Sequence, residues 1–193
     1  MGKTLYCVKN IILFHLLGVS QIIFYEDKHF KGQSFECTSD QPDLPSHFSH
    51  CKSIKVDNGC WIVYELPGYR GEQYFLENGE YPDFQCSTGH MDFIRSCHMV
   101  PHFSGPHRLK VYERDEFRGQ MMEFTEDCPS VYDRFLYQNI YSCNILLGYW
   151  IFYEQPSYKG KQYYLKPGEY RRFNDWGASD ARVGSFRRIL DIQ

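Results

Sequence analysis

One eight-residue pattern occurs four times along this chain, and it constrains the possible fold more than any other feature. Each copy reads Tyr-Glu, three variable residues, an aromatic residue, a basic residue and Gly. The copies occupy residues 25–32, 64–71, 112–119 and 153–160. Internal repetition with a period of about forty residues is typical of a fold built from duplicated supersecondary units. The chain is therefore predicted to contain four related units.

Each copy lies between two runs of β-forming residues, such as Trp61-Ile62-Val63 before the second copy and Gln73-Tyr74-Phe75-Leu76 after it. Two such runs with a short connection that contains Gly predict a β-hairpin. We expect the Gly to adopt a positive φ, and the aromatic residue to pack over the bend.

A serine follows each copy inside a third strand-like run, where its hydroxyl group can hydrogen-bond the backbone of a folded-over hairpin. The pattern residues and these serines form the predicted fold signature. They are Tyr25, Phe30, Gly32, Ser53, Tyr64, Tyr69, Gly71, Ser96, Tyr112, Phe117, Gly119, Ser142, Tyr153, Tyr158, Gly160 and Ser185.

The repeats alternate between two kinds. The second and fourth contain Gly-Glu-Tyr, ending at Tyr81 and Tyr170, whereas the first and third contain Asp-x-Pro at residues 40–42 and 127–129. Four strands per repeat with a folded-over hairpin describe a Greek key, and the alternation indicates a duplicated two-repeat domain. We predict an all-β chain of two β-sandwich domains with two Greek keys each. The predicted segments are an extension at 1–20, an N-terminal domain at 21–100, a Pro- and Gly-containing linker at 101–107 and a C-terminal domain at 108–193.

From about Gln21 to the C-terminus, these motifs resemble the βγ-crystallin family, and more narrowly the vertebrate γ-type lens crystallins. The resemblance implies two domains that pair about a pseudo-twofold axis, with tyrosine corners at Tyr81 and Tyr170. It also implies that Ser87 replaces a tryptophan that the fourth repeat has at Trp176. The implied domain interface sets Ile62, Phe75 and Val100 against Ile151, Tyr164 and Ile189.

Composition excludes some classes of function. The net charge is −3 and no block of like charges occurs, so the sequence predicts no nucleic-acid partner and no membrane binding. Aromatic residues make up 18% of the chain. This content is explained by β-rich cores packed with rings, and also by a function in which polarisable rings raise the refractive increment. The two explanations are compatible.

Residues 1–20 belong to no repeat, and two hypotheses account for them. Lys3 and Lys9 precede an apolar run at 11–19, which resembles a signal peptide cleaved before Gln21. That cleavage would leave seven of the eight cysteines, an odd number for a disulfide-linked secreted protein. The family resemblance instead implies an alternative or misassigned splice product, in which Thr4–Gln21 is inserted between Met1-Gly2-Lys3 and Ile22. We favour the second hypothesis.

The sequence predicts neither a catalytic residue nor a cofactor. There is no Cys-x-x-Cys pair, and although His98, His102 and His107 cluster around the linker, we expect loop histidines without fixed geometry to form no structural metal site. The adjacent pairs His50/Cys51 and Cys97/His98 would point to opposite faces of a strand, which argues against a catalytic dyad. We interpret the cysteines as reduced thiols of a reducing cytosol.

Calcium is the alternative ligand, because relatives outside the lens bind it. Their motif needs two Asn or Asp residues, two spacers and Ser/Thr-Ser. None of the four corresponding windows is complete, at residues 48–53, 91–96, 137–142 and 180–185, and Lys52 and Arg95 put a cation where a hydroxyl ligand is needed. We therefore expect no high-affinity calcium site.

Two functions remain. The resemblance implies a non-enzymatic, long-lived structural protein of the eye lens. It would be a monomer in the lens fibre cytoplasm, in weak contact with other lens crystallins. The alternative is a calcium-binding or stress-related βγ module outside the lens.

Overall fold

The structure is a computed structural model that describes residues 18–45, 50–84 and 93–190. Most of the segment 4–21, which is the insertion in the splice hypothesis, lies outside these ranges, and so does Ser87. Within them, strands predominate and the helices are short. The backbone contacts divide the chain into two compact units, Met1–Arg70 with Leu76–Pro101 and Gly71–Phe75 with His102–Gln193. No helix formed by the described residues is long and apolar enough to cross a membrane.

Fourteen strands are found among the described residues. They are β1 (Gln21–Asp27), β2 (Lys31–Cys37), β3 (Ser53–Asn58), β4 (Cys60–Leu66), β5 (Arg70–Leu76), β6 (Gly79–Tyr81), β7 (Ser96–Val100), β8 (Arg108–Arg114), β9 (Arg118–Phe124), β10 (Ser142–Leu147), β11 (Trp150–Gln155), β12 (Lys159–Leu165), β13 (Gly168–Tyr170) and β14 (Ser185–Arg188). The helices are α1 (Val131–Phe135) and two 3-10 turns, Lys28–Phe30 and Phe173–Trp176.

The strand order of the first unit is that of a pair of Greek keys. One sheet has the order β2-β1-β3-β6, so the last strand in it comes from the second repeat. The strand β4 is hydrogen-bonded to both β5 and β7. The second repeat thus contributes β6 to the sheet of the first, and an isolated bridge between Gln41 and Cys97 connects the first repeat to β7. Such crossing between neighbouring repeats is what the long return connection of a Greek key produces.

The second unit repeats this order strand for strand. Its first sheet runs β9-β8-β10-β13, and β11 lies between β12 and β14. The predicted all-β class, with two Greek keys in each of two domains, is confirmed. The alternation of the two repeat types in sequence corresponds to this duplicated order of strands.

The core of the second unit shows how the strand pattern produces the sandwich. In β8, Leu109 and Val111 are fully buried while Lys110 between them is only half-buried. This alternation follows from the two-residue period of side chains along a strand. From the facing strand β11, Trp150 and Phe152 join the same buried cluster. Apolar burial of this kind is the dominant stabilising term in folding.

Candidate functional site

In each repeat, one serine hydroxyl connects the folded hairpin to the third strand. The hydroxyl donates a hydrogen bond to the carbonyl of the third pattern residue, at 2.5–2.7 Å, and accepts one from the backbone N–H of the aromatic residue, at 2.9–3.1 Å. All four serines are completely buried. The sets of serine, carbonyl and N–H are Ser53, Asp27 and Phe30; Ser96, Leu66 and Tyr69; Ser142, Arg114 and Phe117; Ser185, Gln155 and Tyr158.

The tyrosine and the aromatic residue of each pattern are in ring contact. Their ring centroids are 5.5–5.7 Å apart in all four repeats, in edge-on or tilted arrangements. Such arrangements place the positive edge of one ring against the negative face of the other. The aromatic residue thus covers the bend by packing against the tyrosine that begins the pattern.

The backbone of the bend differs from the expectation. Positive φ was expected at the pattern glycines, whose φ angles are 78–80°. However, the aromatic residue of each repeat also has φ of 58–61°. The residue before it is left-handed too: His29, Gly68, Glu116 and Ser157. The one signal of this in the sequence is Gly68, the only glycine among the four.

The last position of the pattern is glycine for a steric reason, because the side chain of the pattern Glu packs against it. A Cβ added to Gly119 would lie 3.1 Å from the Cβ of Glu113 and 2.8 Å from its carboxylate. The glutamate Cβ lies similarly close at Gly32 and Gly160, at 3.2 Å in both. The carboxylate of Glu113 accepts a hydrogen bond from the Gln120 backbone N–H at 3.0 Å. The glutamate side chain therefore folds over the glycine and binds the start of the returning strand.

Both residues predicted as tyrosine corners bind backbone four residues upstream. The Tyr81 hydroxyl donates to the Glu77 carbonyl at 2.9 Å, and the Tyr170 hydroxyl donates to the Lys166 carbonyl at 3.0 Å. The Lys166 N–H also donates to the Tyr170 hydroxyl at 3.0 Å. Burial raises the pKa of Tyr170 to about 12.

The Asp-x-Pro connections of the first and third repeats bind the last strand of their own unit. Asp40 accepts a hydrogen bond from the backbone N–H of Met99 in β7 at 2.8 Å. Asp127 accepts one from the backbone N–H of Arg188 in β14 at 2.9 Å. These carboxylates are thus occupied in holding the long return connection of each Greek key.

The three histidines around the linker were expected to lie in loops without fixed geometry, but His98 and His107 have defined positions. His98 lies in β7, with its Nδ1 2.7 Å from the Oδ2 of Asp40. His107 is buried, with its Nε2 2.9 Å from the Ile189 carbonyl and its ring edge-on to Trp150. The His98 ring is therefore engaged by Asp40, and the His107 ring is engaged by the Ile189 carbonyl and the Trp150 ring. Among the described residues, no group of three or more His, Cys, Asp or Glu side chains is placed to hold a metal ion.

Basic side chains pair with carboxylates in or beside the candidate calcium windows. Lys52 lies 3.5 Å from Asp27, and Arg95 lies 2.8 Å from Asp43. In the fourth window, the Arg182 guanidinium lies 3.5 Å from Glu154. Each of these three carboxylates is thus paired with a basic side chain, whose positive charge opposes the binding of Ca²⁺ nearby. Residues 48–49 and 91–92 of the first two windows lie outside the described ranges.

Five of the described cysteines are buried free thiols: Cys37, Cys51, Cys97, Cys128 and Cys143. Burial raises the pKa of Cys51 to about 12, and burial also raises the pKa of Cys128 and Cys143. Since the thiolate is the nucleophilic form, these three thiols are in environments that oppose catalysis.

The six residues expected at a domain interface are mostly buried. Ile62, Ile151 and Ile189 are at most 5% exposed. Phe75 and Val100 are buried as well, and Tyr164 is half-buried, with its ring stacked on Tyr149 at 6.1 Å.

Comparison with known proteins agrees with this geometry. The Beta/Gamma crystallin family model matches residues 21–100 and 108–189. The chain is 56% identical to Gamma-crystallin M2 of Chiloscyllium indicum over 173 residues, covering 90% of this chain and 98% of that protein. It is 58% identical to Gamma-crystallin 2 of Rana temporaria over 167 residues, covering 86% and 99%. It is 57% identical to Gamma-crystallin B of Homo sapiens over 174 residues, covering 90% and 99%. The chain therefore belongs to the βγ-crystallin family and is, within it, a vertebrate γ-crystallin.

Proposed function

We propose that this γ-crystallin serves the eye lens by a physical property, the refraction of light at high protein concentration, and not by catalysis. The chain is a structural protein of the lens. One observation carries this conclusion: more than half of its residues are identical to those of γ-crystallins over nearly their whole length.

The composition and the folded hairpins suit that role. The chain contains 16 tyrosines, 15 phenylalanines and 3 tryptophans, whose polarisable rings increase refraction per unit mass. The hairpins are folded back and fixed by the buried serines, which limits the exposed strand edges through which β proteins aggregate. Charges of both signs are interspersed, and the net charge stays small.

The absence of enzymatic activity is part of the proposal. It is supported by the hydrogen bonds that the polar side chains make within the fold. The four serines bind the backbone of the hairpins, and Asp40 and Asp127 bind the backbone of the last strands. A serine hydroxyl becomes a nucleophile when an adjacent base takes its proton, whereas each of these four hydroxyls donates its proton to a backbone carbonyl.

We further propose two domains at 21–100 and 108–193 joined by the linker 101–107, with an extension at 1–20. The family match at 21–100 and 108–189 supports these boundaries. In this proposal Ile62, Phe75 and Val100 pair with Ile151, Tyr164 and Ile189. The chain is a monomer in the cytoplasm of lens fibre cells and meets other lens crystallins through weak contacts only.

Two measurements test the function against the calcium-binding alternative. Quantitative proteomics of dissected tissues is expected to find the protein concentrated in the lens. Calorimetric titration of Ca²⁺ into the folded chain is expected to show no micromolar binding, because Lys52, Arg95 and Arg182 pair with the local carboxylates. Abundance outside the lens together with micromolar calcium binding would instead establish the alternative.

A further inference from the structure

The core of the first unit contains two thiols at positions where the second unit contains two phenylalanines. Cys37 is the last residue of β2 and pairs with Ile22 of β1. At the same register in the second unit, Phe124 is the last residue of β9 and pairs with Leu109 of β8. Cys37 and Phe124 are therefore equivalent positions.

A second equivalence holds on the last strand of each unit. Cys97 of β7 pairs with Val63, and Phe186 of β14 pairs with Phe152. The backbone of Cys97 exchanges hydrogen bonds of 2.9 and 3.0 Å with Gln41. The backbone of Phe186 exchanges bonds of 2.8 and 3.0 Å with Cys128, four residues after Phe124 just as Gln41 is four residues after Cys37.

The equivalent side chains touch in both units. The rings of Phe124 and Phe186 are in edge-on contact, with centroids 4.8 Å apart. In the first unit, the Cys97 thiol hydrogen-bonds to the Cys37 thiol, and this bond together with burial raises the pKa of Cys97. Both are free thiols, and they are 2% and 0% exposed. Two buried thiols therefore lie side by side where the fold brings two distant strands together.

We propose that Cys37 and Cys97 form an oxidation site, at which a small disulfide such as oxidised glutathione converts the thiol pair into an intramolecular disulfide. One thiolate attacks the oxidant, whose S–S bond breaks to release one glutathione thiol and leave a mixed disulfide. The second thiolate then displaces the other glutathione and closes the Cys37–Cys97 bond. The protein loses two protons and two electrons, and the oxidant is reduced to two glutathione thiols.

The bond would join the first Greek key to the last strand of the second. It closes a long loop, and long loops lose the most chain entropy in the unfolded state when they are cross-linked. The oxidised first unit is therefore more resistant to denaturant. Because both sulfurs are buried, the reaction proceeds through local opening, so mild denaturant accelerates it.

The test uses the full-length chain incubated with oxidised glutathione and then mapped without reduction by mass spectrometry. The intact mass is expected to fall by two hydrogens, with peptide 32–52 linked to peptide 96–108 after trypsin. Since Cys51 shares the first of these peptides, digestion before Asp40 separates it from Cys37. The denaturation midpoint reported by Trp61 fluorescence is expected to rise on oxidation.

Variants distinguish this site from general thiol oxidation. Cys37→Ser and Cys97→Ser are each expected to abolish both the link and the rise in midpoint. Cys128→Ser is the matched control, because that thiol is also buried but bonds to the Ser130 carbonyl and not to another sulfur. A link to any other cysteine, a product with glutathione still attached to Cys37 or Cys97, or oxidation elsewhere with this pair unreacted would overturn the proposal.

Discussion

The hydroxyl oxygen of Ser142 lies 3.0 Å from the backbone nitrogen of Phe117, whose own φ is 58°. The same hydroxyl donates to the Arg114 carbonyl at 2.6 Å. One buried atom thus satisfies both a donor and an acceptor on opposite sides of a strained bend. The bend closes over the sheet because its backbone groups, once turned away from their own strand, find their partners on this serine.

We expect Ser142→Ala to lower the free energy of unfolding of the C-terminal domain by about 2 kcal/mol, since it leaves a buried N–H and a buried carbonyl without their partner. Equilibrium denaturation measures this loss. Ser104→Ala is the control, because Ser104 is exposed and should change stability little. A loss no greater than that of the control would show that the hydroxyl does not hold the hairpin.

The residue before each pattern aromatic is left-handed, so replacing it with the residue found at the equivalent position of another repeat should change stability. Ser157 is exposed with φ of 58°, and Gly68 is its equivalent with φ of 72°. A left-handed L-residue costs about 1–2 kcal/mol, which exceeds the entropy cost of glycine, about 0.5–1 kcal/mol. We expect Ser157→Gly to stabilise its domain by up to about 1 kcal/mol.

The reverse change, Gly68→Ala, supplies the matched comparison. It forces a Cβ into the left-handed region and should destabilise the first unit by about 1 kcal/mol. Thermal and chemical denaturation of both variants measure the two shifts. If both changes shift stability in the same direction, backbone strain is not the cause.

A pair of exposed charges predicts a dependence on acid. Arg108 binds Glu123 through two hydrogen bonds of 2.5 and 3.1 Å. The bond from Arg108 holds the pKa of Glu123 below its usual value of 4.5. A lowered carboxyl pKa contributes stability that is present above the unfolded value and is lost as the pH falls through the folded value.

Arg108→Gln should therefore lower the stability of the C-terminal domain slightly at neutral pH, and the difference from the unaltered chain should vanish in acid. The effect is small because both side chains are exposed. Denaturation series between neutral pH and about pH 3 measure it. Arg118→Gln is the control, because Arg118 donates to the Asp115 backbone carbonyl, which does not titrate. A difference that persists unchanged into acid would contradict the ion-pair explanation.

The sequence predicted the strands and the hairpins because their causes are local: β-forming runs, turn glycines and repetition. It did not predict the left-handed backbone at Phe30 and Phe117, since neither residue favours that conformation by itself. The tertiary contacts impose it, through the buried serine and the ring of the pattern tyrosine. Similarly, the burial of His107 depends on Trp150 and Ile189, which are distant in sequence.

The missing tryptophan predicts the order in which the domains unfold. In the second unit Trp176 is buried against Phe152, with ring centroids 5.8 Å apart. Ser87 stands at the equivalent sequence position of the N-terminal domain and lies outside the described residues. We expect this domain to unfold first, because a buried tryptophan is worth about 3–5 kcal/mol in a packed site.

Fluorescence separates the two transitions, since Trp61 reports the N-terminal domain and Trp150 and Trp176 report the C-terminal one. Trp176→Ser imposes the same deficit on the C-terminal domain and should bring its midpoint down towards that of the N-terminal domain. Earlier unfolding of the C-terminal domain in the unaltered chain would refute the expectation.

The proposed interface gives the last prediction. Phe75 is buried, and its proposed partners are apolar except for the hydroxyl of Tyr164. Full burial of such a side chain contributes about 1.5–3 kcal/mol. Phe75→Ala should therefore lower the stability of the N-terminal domain within the full chain by about 2 kcal/mol.

The comparison that decides this prediction uses the N-terminal domain expressed alone. There, Phe75→Ala should have little effect, because the proposed partner surface is missing. Phe84→Ala is the matched control: Phe84 is fully buried, so its loss should cost about 3–5 kcal/mol in both contexts. If Phe75→Ala costs the isolated domain as much as it costs the full chain, Phe75 belongs to the domain core and the proposed interface is wrong.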